Sequence, residues 1–126
     1  MSRLVVRASG IAECGAYREA GVIVFGVRVA AGAPFESVIF QIDEADSDQR
    51  RDQWGMYAEV DGNGHYGAVS QFDFDPRNRL LDITLQPKII INTAAMSFQL
   101  PDDCASDVMV LVARMATLFR DYPPLL

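Results

Sequence analysis

The chain has 126 residues, of which 50% are hydrophobic and 22% charged, a globular balance at a length that suits one domain of roughly 100–200 residues and argues against wholesale disorder. Eleven Lys and Arg against seventeen Asp and Glu give a net charge of −6, the wrong sign for binding nucleic acid through phosphate and the right one for a basic partner. A core of this size needs no disulfide or metal staple.

The first residues, Met1-Ser2-Arg3-Leu4-Val5-Val6-Arg7, have no apolar stretch of the kind a signal peptide needs, so a cytoplasmic location is expected. Leu4, Val6 and Ala8 alternate with Arg3, Val5, Arg7 and Ser9 and predict a first strand. Cys14 and Cys104 lie far apart with no CxxC and no neighbouring His, so two reduced, hydrophobic cysteines are expected rather than a zinc site. Val22 to Val29 is apolar on both faces except at Gly26 and Arg28, which predicts a central strand covered on both sides. The longest apolar stretch, Gly21 to Val27, is far short of the roughly 20 residues that span a bilayer, so no membrane association is expected. After a break at Ala30-Ala31-Gly32-Ala33-Pro34, Val38, Phe40 and Ile42 alternate as another strand.

The segment from Asp43 to Gln53 is acidic and has no apolar periodicity, which predicts a solvated loop or a short exposed helix. Trp54, Met56, Ala58 and Val60 alternate after it, and Asp61-Gly62-Asn63-Gly64 predicts a hairpin turn in which Gly and Asn supply the positive φ values. Ala68, Ser70, Phe72 and Phe74 lead to a second turn, Asp75-Pro76-Arg77-Asn78, where Asp bonds the backbone ahead and Asn takes the left-handed position. Leu81, Ile83 and Leu85 form the return strand, Gln86 to Thr93 has no clear assignment, and Ala94, Met96, Phe98 and Leu100 alternate again. The period then changes. Val108, Leu111, Val112, Met115, Leu118 and Phe119 make one helical face, with Asp102 or Asp103 as N-cap and Tyr122-Pro123-Pro124 as the stop. The expected fold is α+β, a mostly antiparallel β-sheet of about six to eight strands with the C-terminal α-helix packed on one face, over residues 1–126 as one domain.

Catalytic and cofactor motifs are sparse. Gly62-Asn63-Gly64-His65-Tyr66-Gly67 matches GxGxxG, but a strand follows where a dinucleotide site needs a helix, and the chain's one lysine, Lys88, has no kinase-like catalytic loop beside it. His65, the only histidine, anchors no Ser-His-Asp pattern and reads as a polar turn residue. Glu44, Asp46 and Asp48 have the spacing of calcium-loop ligands, yet Gln49 and Gly55 stand where that loop needs Gly and Glu. No catalytic residue, cofactor or metal site is therefore expected.

The order of several short motifs is similar to a known family. An acidic stretch leads to Gly55-Met56 and the strand Tyr57-Ala58-Glu59. A polar turn closes on Tyr66-Gly67-Ala68-Val69, similar to the family's Tyr-Gly-Gly-Ile with Ala68 for the second Gly. A hairpin from Phe72 to Leu85, then Met96-Ser97-Phe98-Gln99-Leu100, Asp102-Asp103 and a helix ending Leu118-Phe119 complete it. In these features the chain resembles the immunity protein 10 family of bacterial polymorphic toxin systems. The resemblance implies a non-enzymatic cytoplasmic protein that binds and neutralises a cognate toxin by direct contact. A basic toxin domain would suit the acidic charge. The expected partner-binding residues are Asp43, Glu44, Asp46, Asp48 and Asp52 at the rim, with Trp54 and Tyr57 as anchors. The competing reading is a small-ligand-binding or enzymatic domain whose pocket is lined by Trp54, Tyr57, Tyr66 and Phe72, although Trp54 and Phe72 also fit a core. A homo-oligomer, paired through an exposed edge strand, is the third possibility the sequence leaves open.

Overall fold

The computed structural model describes residues 4–9, 11–29, 35–44, 55–86, 93–102 and 104–121. Alternating residues become strands in the order β1 (Leu4–Ser9), β2 (Ile11–Glu19), β3 (Val22–Val29), β4 (Ser37–Asp43), β5 (Tyr57–Val60), β6 (Asn63–His65), β7 (Val69–Asp75), β8 (Leu80–Leu85) and β9 (Thr93–Gln99). The period-3.6 segment becomes helix α1 (Ser106–Asp121). The fold is α+β and the pairing mostly antiparallel, as the alternation predicts. The strands divide into two sheets rather than one. β2 to β6 form a five-stranded sheet in sequence order, and the other sheet runs β1-β9-β8-β7. Only β1 and β9 pair in parallel.

Two sheets form because each has one apolar face, and the two faces bury each other. Ile23, Phe25, Val27, Val38, Phe40, Ile42, Ala58 and Val60 point inward from one sheet. Phe72, Leu81, Ile83, Leu85, Met96 and Phe98 point inward from the other. Phe40 meets Phe72 edge-on at 5.7 Å between ring centroids, which ties the sheets together. The helix lies against β2, β3 and β4 and beside β7. It buries Val108, Leu111, Val112, Met115, Leu118 and Phe119, with Ala116 added to the predicted face. Phe119 reaches Phe72 at 6.4 Å.

Local chemistry explains several departures from the sequence reading. β2 was not anticipated as a strand. It turns back into β3 through Ala20 (φ 53°) and Gly21 (φ 80°), the two left-handed residues that a tight hairpin needs. β3 is central in its sheet, but only its inward face is covered. Val22, Val24 and Gly26 on the other face are half-exposed and Arg28 is exposed. In the β5–β6 turn the positive φ values belong to Asp61 (50°) and Gly62 (88°), not to Asn63. Asp61 is useful there because its Oδ1 accepts hydrogen bonds from the Glu36 and Ser37 N–H groups, both at 2.9 Å. In the β7–β8 turn Asp75 does accept from the Arg77 N–H at 3.0 Å, while the left-handed residue is Arg79 (φ 54°) rather than Asn78. His65 is not a turn residue but the end of β6, opposite Ala58 and half-buried.

The helix start also differs. Asp102 does not cap it, because its carboxylate pairs with Arg79. Asp103 lies outside the described residues. The first turn closes on the Ala105 carbonyl, and Asp107 Oδ1 accepts from the Val108 N–H at 2.9 Å. The helix ends at Asp121, ahead of Tyr122-Pro123-Pro124, which lies outside the described residues, as do most of Gln86 to Thr93 and the break from Ala30 to Pro34. Cys14 and Cys104 are reduced, half-buried and packed against the core.

Candidate functional site

The outer face of the five-stranded sheet is the most distinctive surface. Cross-strand register fixes which side chains share it. Glu13 lies opposite Arg28, Gly15 opposite Gly26, Tyr17 opposite Val24 and Glu19 opposite Val22. Gly26 in turn lies opposite Ile39, Val24 opposite Gln41 and Val22 opposite Asp43. Ile39 then meets Glu59, and Gln41 meets Tyr57. A solvated antiparallel face normally carries polar residues. This one carries Tyr17, Val24, Ile39 and Tyr57 at its centre.

The paired glycines shape it. A Cβ on Gly15 would meet nothing within 4 Å, and one on Gly26 would make ordinary contacts with Ile39 at 3.8 Å and the Val38 carbonyl at 3.9 Å. Neither glycine is there for its backbone, so their effect is to lower the surface. The result is an open depression of about 630 Å³ floored by Gly15, Gly26 and Val24 and walled by Tyr17, Arg28 and Ile39. At the far end Tyr57 folds over Gly64, where any Cβ would strike its ring and hydroxyl. The Tyr57 hydroxyl donates to Glu59 Oε1 at 2.8 Å, and its ring meets Tyr66 at 5.1 Å. Burial first, and then the Glu59 carboxylate, raise the Tyr57 pKa above the ordinary phenol value, so the hydroxyl stays protonated and keeps donating. Around these rings stand the carboxylates of Glu13, Glu19, Asp43 and Glu59, while Arg28 brings a cation to the face, 3.2 Å from Glu13.

The outer face of the four-stranded sheet differs in kind. Thr84 donates to Gln71 at 3.1 Å, Gln71 donates to Asp73 and Ser97 to Asp82. Two of these bonds cross between strands and the third runs along β7.

The predicted partner residues separate. Asp43 and Tyr57 fall on the same outer face, and Asp43 lines a small hollow with Gln41, Gly55 and Tyr66. Glu44 is turned to a different task. Its carboxylate takes Arg18 in a two-point bond, 2.7 Å to Nε and 3.0 Å to Nη2, and Arg114 Nε at 3.4 Å. It thereby ties the end of β4 to β2 and α1. The Arg18 hydrogen bonds hold its carboxyl below the usual carboxylate range. Asp46, Asp48, Asp52 and Trp54 lie outside the described residues. Of the residues weighed for a pocket, Phe72 is core and Tyr57 and Tyr66 are surface neighbours. Sequence reasoning missed Tyr17, Val24 and Ile39. The signal for two of them was present, since Val24 and Ile39 are apolar at positions where one-sided alternation expects polar residues.

Among the described residues no group of three or more His, Cys, Asp or Glu side chains is placed to hold a metal ion. No helix among them is long and apolar enough to cross a membrane. No protein-family model, curated protein or solved structure matches the chain.

Proposed function

We propose that this chain is an immunity protein of the cytoplasm that binds and neutralises a cognate, basic bacterial toxin domain by direct contact, without chemistry of its own. The observation that carries this reading is the aromatic and aliphatic centre on the outer face of the five-stranded sheet, ringed by Glu13, Glu19, Asp43 and Glu59. Interfaces concentrate their energy in buried aromatic anchors and keep acids at the rim, where they steer encounter. Tyr17 and Tyr66 are 53% and 57% exposed, which leaves their rings available as anchors beside Tyr57. The acidic run enters after Glu44 and returns at Gly55, at the Tyr57 and Tyr66 end of this face. Asp46, Asp48, Asp52 and Trp54 belong to that run in sequence and lie outside the described residues. The resemblance to immunity protein 10 in the order of motifs from Gly55 onward supports the same reading. The alternative, a small-ligand domain, has the depression at Gly15 and Gly26 in its favour, but a ligand site usually encloses most of its ligand and this one is open on the sheet surface.

The test is co-expression with the neighbouring toxin. Protection of the cells is expected, with loss of protection on Tyr17→Ala combined with Tyr57→Ala. Reversing Asp46, Asp48 and Asp52 to Lys should slow association and flatten its salt dependence. Equal killing with and without the protein refutes the inhibitor. Protection that survives every one of these changes moves the contact to another face.

A further inference from the structure

Gly15 and Gly26 lie in the interior of β2 and β3, where glycine costs stability because it has the most backbone freedom to lose and no side chain to pack. A strand glycine usually marks a bulge, a positive φ or a place where another group comes close. Neither of these two has a positive φ, and the register runs without a shift from Glu13 to Glu19 and from Val22 to Arg28. A side chain would also find room at both positions. That leaves close approach from outside. The two glycines open one cross-strand row, which continues through Ile39 and Glu59 to Gly64. At its far end the row shows what such a gap takes, since the Tyr57 ring lies over Gly64. Among the described residues no ring comes within 4 Å of the Cβ positions of Gly15 and Gly26.

We propose that the gap over Gly15 and Gly26 receives an aromatic side chain from a basic protein partner. The identity of that partner as the toxin rests on the inhibitor reading; the chemistry of the gap does not. The walls select a ring. Tyr17, 53% exposed, offers a second ring for edge-on or offset stacking, and Arg28 in the neighbouring row offers a guanidinium to the ring face. Val24 and Ile39 supply apolar contact. Charge selects against the other side chains. Arg28 and Glu13 already answer each other at 3.2 Å, so a cation set into the gap meets Arg28 and an anion meets Glu13, whereas a neutral ring opposes neither. Beyond the gap the balance is acidic, because Glu19, Asp43 and Glu59 bring three carboxylates to the same face. The residues that flank the ring on the partner are therefore Lys or Arg. The openness that tells against a free ligand suits a side chain delivered on a larger surface, since the surrounding contacts close over it and exclude water.

Amide spectra of the full, isotope-labelled chain test this with tripeptides blocked at both ends and titrated to about 20 mM, a range that covers the weak affinity of one side chain. Lys-Trp-Lys is expected to shift the Gly15 and Gly26 signals and to bind at least about threefold tighter than Glu-Trp-Glu at low salt. Lys-Ala-Lys is expected to leave them in place. Gly15→Val combined with Gly26→Val fills the gap with a good strand former. That variant should keep its circular dichroism spectrum and a urea midpoint no lower than the natural chain's, yet lose the Lys-Trp-Lys shifts and bind the toxin at least about tenfold more weakly. If it does not fold, Tyr17→Ala, at an exposed position, takes its place and should lose the same shifts. Absence of shifts with Lys-Trp-Lys, equal shifts with Lys-Ala-Lys, or full binding by the substituted chain overturns the proposal. Equal or tighter binding of Glu-Trp-Glu overturns the basic partner. The two readings fail separately. No peptide binding with intact protection leaves the inhibitor standing, and peptide binding by a chain that gives no protection leaves the aromatic gap standing without the toxin.

Discussion

Glu44 shows how one side chain can be misjudged from its neighbours in sequence. It sits at the start of an acidic run and reads as one more solvated carboxylate, yet Arg18 and Arg114 close on it from β2 and α1. Those partners are 26 and 70 residues away along the chain, so no local pattern announces them. Because its folded pKa is depressed, the contribution of this clasp is complete above the unfolded carboxylate pKa and is lost as pH falls through the folded value. Urea midpoints measured from neutral to acid pH should therefore fall less steeply in Glu44→Gln than in the natural chain, from a lower starting point. Gly64 is the second instructive residue. Alanine there would displace the outer end of the Tyr57 ring together with its hydroxyl, the far end of a side chain that can swing away once its bond to Glu59 is given up. We expect Gly64→Ala to change stability by less than about 1 kcal/mol. The near-ultraviolet tyrosine signal should change as the ring leaves Tyr66 and Glu59, and under the proposed function affinity for the toxin should drop with it.

At the level of elements, the strands with large inward residues were legible and β2 was not. Phe25, Phe40, Phe72 and Phe98 alternate with smaller or polar residues and declare their strands, whereas Cys14 and Ala16 are the small inward residues of β2 and Gly15 interrupts the outward row. A strand built of small residues is recognised only once a partner strand is in place. The site was half legible for a related reason. Tyr57 stands out as an aromatic in a polar phase, but the face it belongs to is assembled from β2, β3, β4 and β5, and its composition depends on register. The buried face of the helix was legible because its contacts are spaced along one segment, but its start was not, since Asp102 is drawn to Arg79. Its energetic weight can be measured. Leu111→Ala on the helix and Phe98→Ala on β9 should each cost about 2–5 kcal/mol in chemical denaturation, through lost burial and the cavity left behind. Their side chains are 7% and 0% exposed. A cost under about 1 kcal/mol for both would mean that these side chains do not pack in the core.

The whole molecule separates its tasks by layer. One sheet and the helix cover the inner face of the other sheet, and they leave that sheet's outer face, with its aromatic centre and acidic rim, to the solvent. A net charge of −6 then favours encounter with a basic partner over a long range at low salt. The parallel pairing of β1 with β9 has a different consequence, for the order of assembly. β2 to β6 zip together through successive short-range connections, but β1 cannot be matched until β9 arrives, with Leu4 opposite Thr93. Contacts so distant along the chain carry a large loop-closure cost and form late. On a ribosome, the five-stranded sheet would be complete while the first strand still waited for its neighbour. Pulse-labelled hydrogen exchange during refolding should accordingly protect the amides of β3 and β4 before those of β1 and β9, and the slowest phase should be the one that closes the N-terminal strand.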